Sequence, residues 1–179
     1  MSVESAILEV SASLGVNPVH LNKLINFESG FNPAAKNPFT GARGLIQFMP
    51  NTARSMGFRD ADEIVEKYPN VESQLRGPVL QYLSKFKPFG PPYPQSLYLS
   101  VFYPAYRYSH PDTAFNDTVR KVNPGINFVR DYVNWVEKKK FITAFKKYSA
   151  FAFFVPILAA VGAVFYNHLK RRRKDYETG

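Results

Sequence analysis

Residues Leu21 to Met56 read LNKLINFESGFNPAAKNPFTGARGLIQFMPNTARSM, and the stretch begins inside a helix that carries one acid among apolar neighbours. Asn17 and Pro18 suit the start of that helix, because an Asn side chain accepts from an orphan amide and Pro gives up a donor that had no partner there. Gly30 suits its end. Leu21, Leu24, Ile25 and Glu28 fall at i, i+3, i+4 and i+7, so the Glu28 carboxylate shares the apolar stripe. Apolar surroundings disfavour the ionised form and raise the pKa, which a general acid working near neutral pH requires. Taken alone, the same spacing also fits a glutamate at a helix end turned towards water.

The residues that follow favour the first reading. The run E-S-G-F-N-P at Glu28 to Pro33, then G-A-R-G-L-I-Q-F-M-P at Gly41 to Pro50, then Asn51, Thr52 and Ala53, resembles the lytic transglycosylase (SLT) family of the lysozyme-like superfamily. The resemblance is close over Leu21 to Gly57 and looser as far as Val136. It implies a mainly α, lysozyme-like domain with a small β-hairpin, and a cleft for the glycan strands of peptidoglycan. Glu28 matches the family's single catalytic acid/base. Ser29 matches the residue that steadies that carboxylate, and Gln47, Phe48 and Met49 match the strand-like segment lining the cleft.

The chemistry also has an argument of its own. A glycosidase of the common kind sets two carboxylates across the scissile bond, yet no acid occurs between Glu28 and Asp60. If Glu28 serves twice, it protonates the leaving glycosidic oxygen and then takes the proton of the muramic C6 hydroxyl as that oxygen closes on C1. The product is a 1,6-anhydro end, and no water is consumed. If instead Asp60, Asp62 or Glu63 folds back to the cleft, lysozyme-type muramidase hydrolysis becomes open. A third reading is a non-catalytic peptidoglycan-binding membrane protein of a virion.

Outside this stretch, Val3 to Leu14 has the spacing of an amphipathic helix with Ser2 as its cap. Phe31 to Gly44 reads as a loop leading into the hairpin, with its turn at Thr40 and Gly41 and with Arg43 on the solvated surface. Short helices are expected at Asn51 to Ser55 and Ala61 to Tyr68, and a longer one at Val71 to Phe86, kinked or divided at Gly77 and Pro78. Lys87 to Gln95 holds four prolines in nine residues and is a rigid connection.

In the family, a helix bearing A-Y-N-A-G brings its tyrosine hydroxyl to the catalytic carboxylate. Here Phe102, Tyr103, Pro104, Ala105 and Tyr106 stand in its place, so the resemblance assigns Tyr103 to that role but leaves the Asn contact without a counterpart. Tyr98, Tyr106 and Tyr108 are candidates for stacking on sugar. Two last helices are expected at Asp112 to Val122 and Asn127 to Glu137. The N-P-G-I run at Asn123 to Ile126, after V-F-Y-P-A, resembles a variant found in phage-encoded members. No cofactor or metal is expected, since His20 and His110 each stand alone without a second ligand at i, i+4.

The 179 residues carry a net charge of +9 and no cysteine, so no disulfide or thiolate metal site supports the fold. The charge is unevenly placed: residues 1–137 hold 13 Lys and Arg against 12 Asp and Glu, and residues 138–179 hold 10 against 2. A nucleic-acid partner would need basic residues spread over a folded face, whereas these flank the 22 uncharged residues from Tyr148 to Leu169. As a helix these would span roughly 33 Å, enough for a bilayer core. The expected order is therefore a catalytic domain at 1–137, a basic juxtamembrane segment at 138–147, a single C-terminal transmembrane helix at 148–169 and a basic tail at 170–179. The lipid membrane is thereby a partner, with other virion proteins as further candidates. Met1 to Val10 has no basic residue and no apolar run, unlike a signal peptide. The expected setting is the membrane of a phage virion, with the bacterial inner membrane as the alternative.

Overall fold

The N-terminal helices follow from their end residues. Helix α1, Val3–Leu14, is capped by the Ser2 hydroxyl, which accepts from the Ser5 amide at 3.2 Å, and it ends at Gly15. Helix α2, Pro18–Ser29, starts with the Asn17 side chain accepting from the Val19 amide at 2.8 Å and stops at Gly30, whose φ of 60° is left-handed. In this computed structural model residues 2–140 are described; the apolar segment at Tyr148 to Leu169, expected to span a membrane, lies outside the described residues. Among the described residues no helix is long and apolar enough to cross a membrane.

Helices α3, Pro50–Ser55, α4, Ala61–Lys67, and α5, Val71–Gln74, come next. Asp60 caps α4 by accepting from the Glu63 amide at 2.9 Å. Asn70 and Ser73 form a reciprocal cap on α5. The kink expected at Gly77 and Pro78 is present as a π-helical segment, Leu75–Val79, that leads into α6, Leu80–Ser84. Pro78 has no amide to continue the ladder. Gly77 lies against Tyr68, where a Cβ would come within 2.5 Å of the ring.

Helix α7, Gln95–Phe102, is followed by a 3-10 turn at Pro104–Tyr106, then by α8, Asp117–Val122, and α9, Val129–Glu137. Both last helices begin later than their spacing predicts. The residues ahead of them pair with each other instead: Ala114 bridges Phe128, and the Phe115 amide donates to the Asn127 carbonyl at 2.8 Å. Asp131 then caps α9, accepting from the amides of Asn127 and Phe128.

Helix α2 lies at the centre, in contact with α1 on one side and α9 on the other, while α7 also packs on α9. Leu21, Leu24 and Ile25 are wholly buried, as are Phe31, Leu45, Leu75, Leu97 and Tyr132 around them.

The expected β-hairpin does not form. Among the described residues there are only isolated bridges, including Lys36 with Arg43 and Arg43 with Phe48. Two tight turns consume the chain that a ladder would need. In the first, the Asn37 side chain accepts from the amides of Phe39 and Thr40 at 3.0 and 3.2 Å. In the second, the Gln47 amide donates to the Gly44 carbonyl at 3.2 Å, and both Gly44 (φ 76°) and Gln47 (φ 54°) are left-handed, which no strand residue is.

Candidate active site

Glu28 sits in the last turn of α2 and is 8% exposed, so the apolar stripe does bury it. The Tyr132 hydroxyl, from α9, donates to Glu28 Oε1 at 2.8 Å. The Tyr132 ring is held by two aromatic neighbours, stacked on Phe102 at 4.3 Å and T-shaped to Phe27 at 5.5 Å. Burial pushes the Glu28 carboxyl up to about 7, and the hydrogen bond from Tyr132 offsets part of that rise. Burial first, and the nearby Glu28 charge second, push the Tyr132 phenol well above its ordinary value, so it remains a donor.

A second phenol borders the same space. Tyr82 on α6 is pushed up to about 12 by burial and then by the Glu28 charge. Its hydroxyl is directed away, donating to the Ser100 carbonyl at 2.9 Å, and its ring meets Phe48 edge-on at 6.1 Å. Glu28 therefore has two phenols in its surroundings, with the proton of Tyr132 turned onto it.

The other residues expected at the site divide. Ser29 is not on the carboxylate: its hydroxyl donates to the Ile25 carbonyl one turn back at 3.3 Å, the local bond a serine inside a helix readily makes. Phe48 is 2% exposed and belongs to the core beside Tyr82. Gln47 and Met49 are half-buried and remain at the surface of the Gly44 to Met49 loop, with Gln47 Nε2 donating to the Gly44 carbonyl at 3.0 Å. Tyr103 is buried in a cluster with Tyr106 and Phe115, and its hydroxyl accepts from the Asn116 amide at 3.3 Å. The phenol on Glu28 comes from Tyr132 and not from Tyr103.

Tyr132 had a readable signal. Val129, Tyr132, Val133 and Val136 fall at i, i+3, i+4 and i+7, so a tyrosine stands in the middle of an apolar face and its hydroxyl needs a buried partner. Glu28 posed the complementary requirement on α2.

The three candidates for a second carboxylate each have a partner of their own. Asp60 caps α4 and pairs with Arg59 at 3.0 Å, Asp62 pairs with Arg43 at 3.0 Å, and Glu63 pairs with Lys67 at 2.8 Å. Arg43 is correspondingly not a solvated surface residue, its side chain being 17% exposed.

The loop that carries Gln47 is fastened by one buried side chain. Gln74 Nε2 donates to the carbonyls of Pro33 at 2.7 Å and Tyr68 at 2.9 Å, while its Oε1 accepts from the Leu45 amide at 2.9 Å. This amide clips the turn after Glu28, the Gly44 to Met49 loop and the end of α4 into one body. Residues 5–76, from α1 to two residues past this clip, match the family model described as Transglycosylase SLT domain. No solved structure matches the chain.

Proposed function

We propose, for a chain whose SLT domain indicates a lytic transglycosylase that cleaves peptidoglycan, that Glu28 is the one acid/base and that the product is a 1,6-anhydromuramic end. The observation that carries this is the one buried carboxyl among the described residues, raised to about 7, with Tyr132 as its hydrogen-bond donor. Near neutral pH such a group is divided between its two forms, so it can give a proton and take one back. Protonated Glu28 donates to the oxygen between MurNAc and GlcNAc as the bond to C1 breaks. The carboxylate left behind accepts the C6 hydroxyl proton while that oxygen bonds C1, which restores the acid and consumes no water. Burial keeps the carboxyl largely away from solvent, and Tyr132 stabilises the anion during the interval between the two steps. Gln47 and Met49, accessible on the clipped loop, are the residues we assign to the glycan.

Mass spectrometry of muropeptides released from purified peptidoglycan tests this directly. Each cleaved muramic end is expected to be lighter by one water than a hydrolysed end. Reducing ends without the anhydro ring would replace this mechanism with muramidase hydrolysis, and no products would leave a binding protein.

The same proposal anchors the enzyme to a lipid membrane through Tyr148 to Leu169. Its support is the uncharged length of that segment and the basic runs on both sides, Lys138 to Lys140 and Lys170 to Lys174. The resemblance of the V-F-Y-P-A and N-P-G-I runs to phage-encoded members supports a role in opening the wall locally during infection, with the enzyme carried in a virion membrane. Removing residues 141–179 is expected to abolish flotation with vesicles while sparing specific activity on isolated peptidoglycan. Leu158→Arg, near the middle of the segment, is expected to weaken insertion by roughly 2.5 to 3.5 kcal/mol. A truncated protein that still floats would overturn the anchor.

A further inference from the structure

Helices α2 and α9 meet at two polar points. At one, Tyr132 donates to Glu28. At the other, the Glu137 carboxylate at the end of α9 receives Lys23 Nζ, the Tyr98 hydroxyl and, at 3.0 Å, His20 Nδ1. Glu28 and Lys23 are five residues apart on α2, and Tyr132 and Glu137 are five apart on α9. Two contacts at matching separation, roughly 7.5 Å along each helix, fix how one antiparallel helix can slide on the other. Beyond Glu137 the chain turns back along α2, with Asn26 Nδ2 donating to the Lys140 carbonyl at 3.1 Å and Lys139 Nζ lying 5.6 Å from the Phe27 ring.

We infer that Glu137, through its contacts with Lys23, His20 and Tyr98, is a positioning residue that holds α9 in register on α2 and thereby keeps the Tyr132 phenol on Glu28. The inference rests on Glu28 being the general acid. A hydrogen bond at 2.8 Å has little room to lengthen before its geometry fails, since an O–H···O bond is normal only to about 3.0 Å. A small slide of α9 therefore removes the donor from the carboxylate, and among the described residues no other side chain donates to it.

Glu28 faces Tyr132 from α9 and Tyr82 from α6. Glu137 faces Lys23 and His20 from α2, Tyr98 from α7, and Tyr93 from the connection before α7, whose ring meets His20 edge-on at 5.2 Å. Burial alone would raise the Glu137 carboxyl, but the hydrogen bonds from Lys23 and Tyr98 outweigh it and hold the group below its ordinary value. The Glu137 carboxylate is therefore ionised throughout the range in which Glu28 titrates.

A general acid must be protonated in the free enzyme, so the initial lysis rate of dilute sacculi, which follows kcat/KM, should fall as pH rises past the Glu28 pKa. A donor to the carboxylate lowers that pKa, and its loss must raise it. Tyr132→Phe in the full-length chain is expected to move this alkaline limb up by about one pH unit, the change a hydrogen bond to a charged group brings. Glu137→Ala and Lys23→Met are expected to move it in the same direction, and Glu137→Ala placed on Tyr132→Phe to move it no further. Carbon-13 titration of the Glu28 carboxyl should follow the kinetic limb in each variant. If both clamp variants lower the melting temperature while the limb and the carboxyl titration stay in place, or if the Glu137→Ala change adds to that of Tyr132→Phe, Glu137 is only a structural residue. A parent enzyme whose limb does not follow the Glu28 titration would instead indict the assignment of Glu28 itself.

Discussion

Glu28→Gln is expected to reduce clearing of purified sacculi to background, a loss of at least about 10² to 10⁴ in rate, because the amide keeps size and hydrogen bonding but has no proton to deliver. The same variant is expected to be more stable than the parent at pH 8. The Glu28 pKa rises from the ordinary 4.5 to about 7 on folding, so between those values the folded protein binds more protons than the unfolded chain. Stability must then fall as pH rises through that window, and the gap amounts to about 3 kcal/mol. Glutamine does not ionise and escapes the loss. Urea unfolding of both proteins should therefore agree within about 1 kcal/mol at pH 4 and separate in favour of the variant at pH 8. Equal stabilities at both pH values would mean that the carboxyl is not held in an apolar site, and lysis at the parent rate would mean that it is not the catalyst.

The second large effect falls on the loop and not on the acid. Gly44→Ala is expected to destabilise the domain by about 3 to 5 kcal/mol, or about 10 °C in Tm, and to take lysis down with it. Two costs combine. The φ of 76° is left-handed, which costs a residue with a Cβ about 1 to 2 kcal/mol. The new Cβ would also lie 2.6 Å from Gln74 Oε1. Gln74 is the tip of a side chain, but it is wholly buried and bonded to Leu45, Pro33 and Tyr68, so moving it leaves buried backbone groups unpaired. Gly15→Ala is the control: its φ of 69° is equally left-handed, yet nothing lies within 4 Å of the added Cβ. Calorimetry should show the Gly15 variant losing only the conformational part. Equal losses in the two variants would remove the Gln74 clip from the account.

Both predictions show where the sequence is informative and where it stops. The ends of α2 were legible because they are decided by Asn17, Pro18 and Gly30 acting on their own neighbours in the chain. Helical spacing put Glu28 on the stripe of Leu21, Leu24 and Ile25 but also fitted a solvated acid; the family resemblance favoured the buried reading, and the structure shows it. The kink at Gly77 and Pro78 follows from a missing amide. The resemblance, close over Leu21 to Gly57, falls within residues 5–76, where the family model matches.

What lay outside that reach depends on side chains distant in sequence. Tyr132 meets Glu28 across 104 positions, and no local pattern says which of the buried tyrosines will be aimed at a given acid. The family motif pointed to Tyr103, whose hydroxyl the structure gives to Asn116, and it pointed to Ser29, whose hydroxyl is taken by its own helix. The hairpin failed because two turns at Asn37 and Gly44 leave too little extended chain between them, a matter of φ angles that residue type suggests only at glycine. Gln74 is a polar residue at the end of a four-residue helix, and only packing reveals that it holds three segments together. The ends of α1 and α2, the apolar face of α2 and the place of the acid on it are properties of neighbouring residues, so the sequence by itself determined them. Which phenol reaches the acid and which amide fastens the loop are decided by how α2, α5 and α9 come together, and only the tertiary structure carries that.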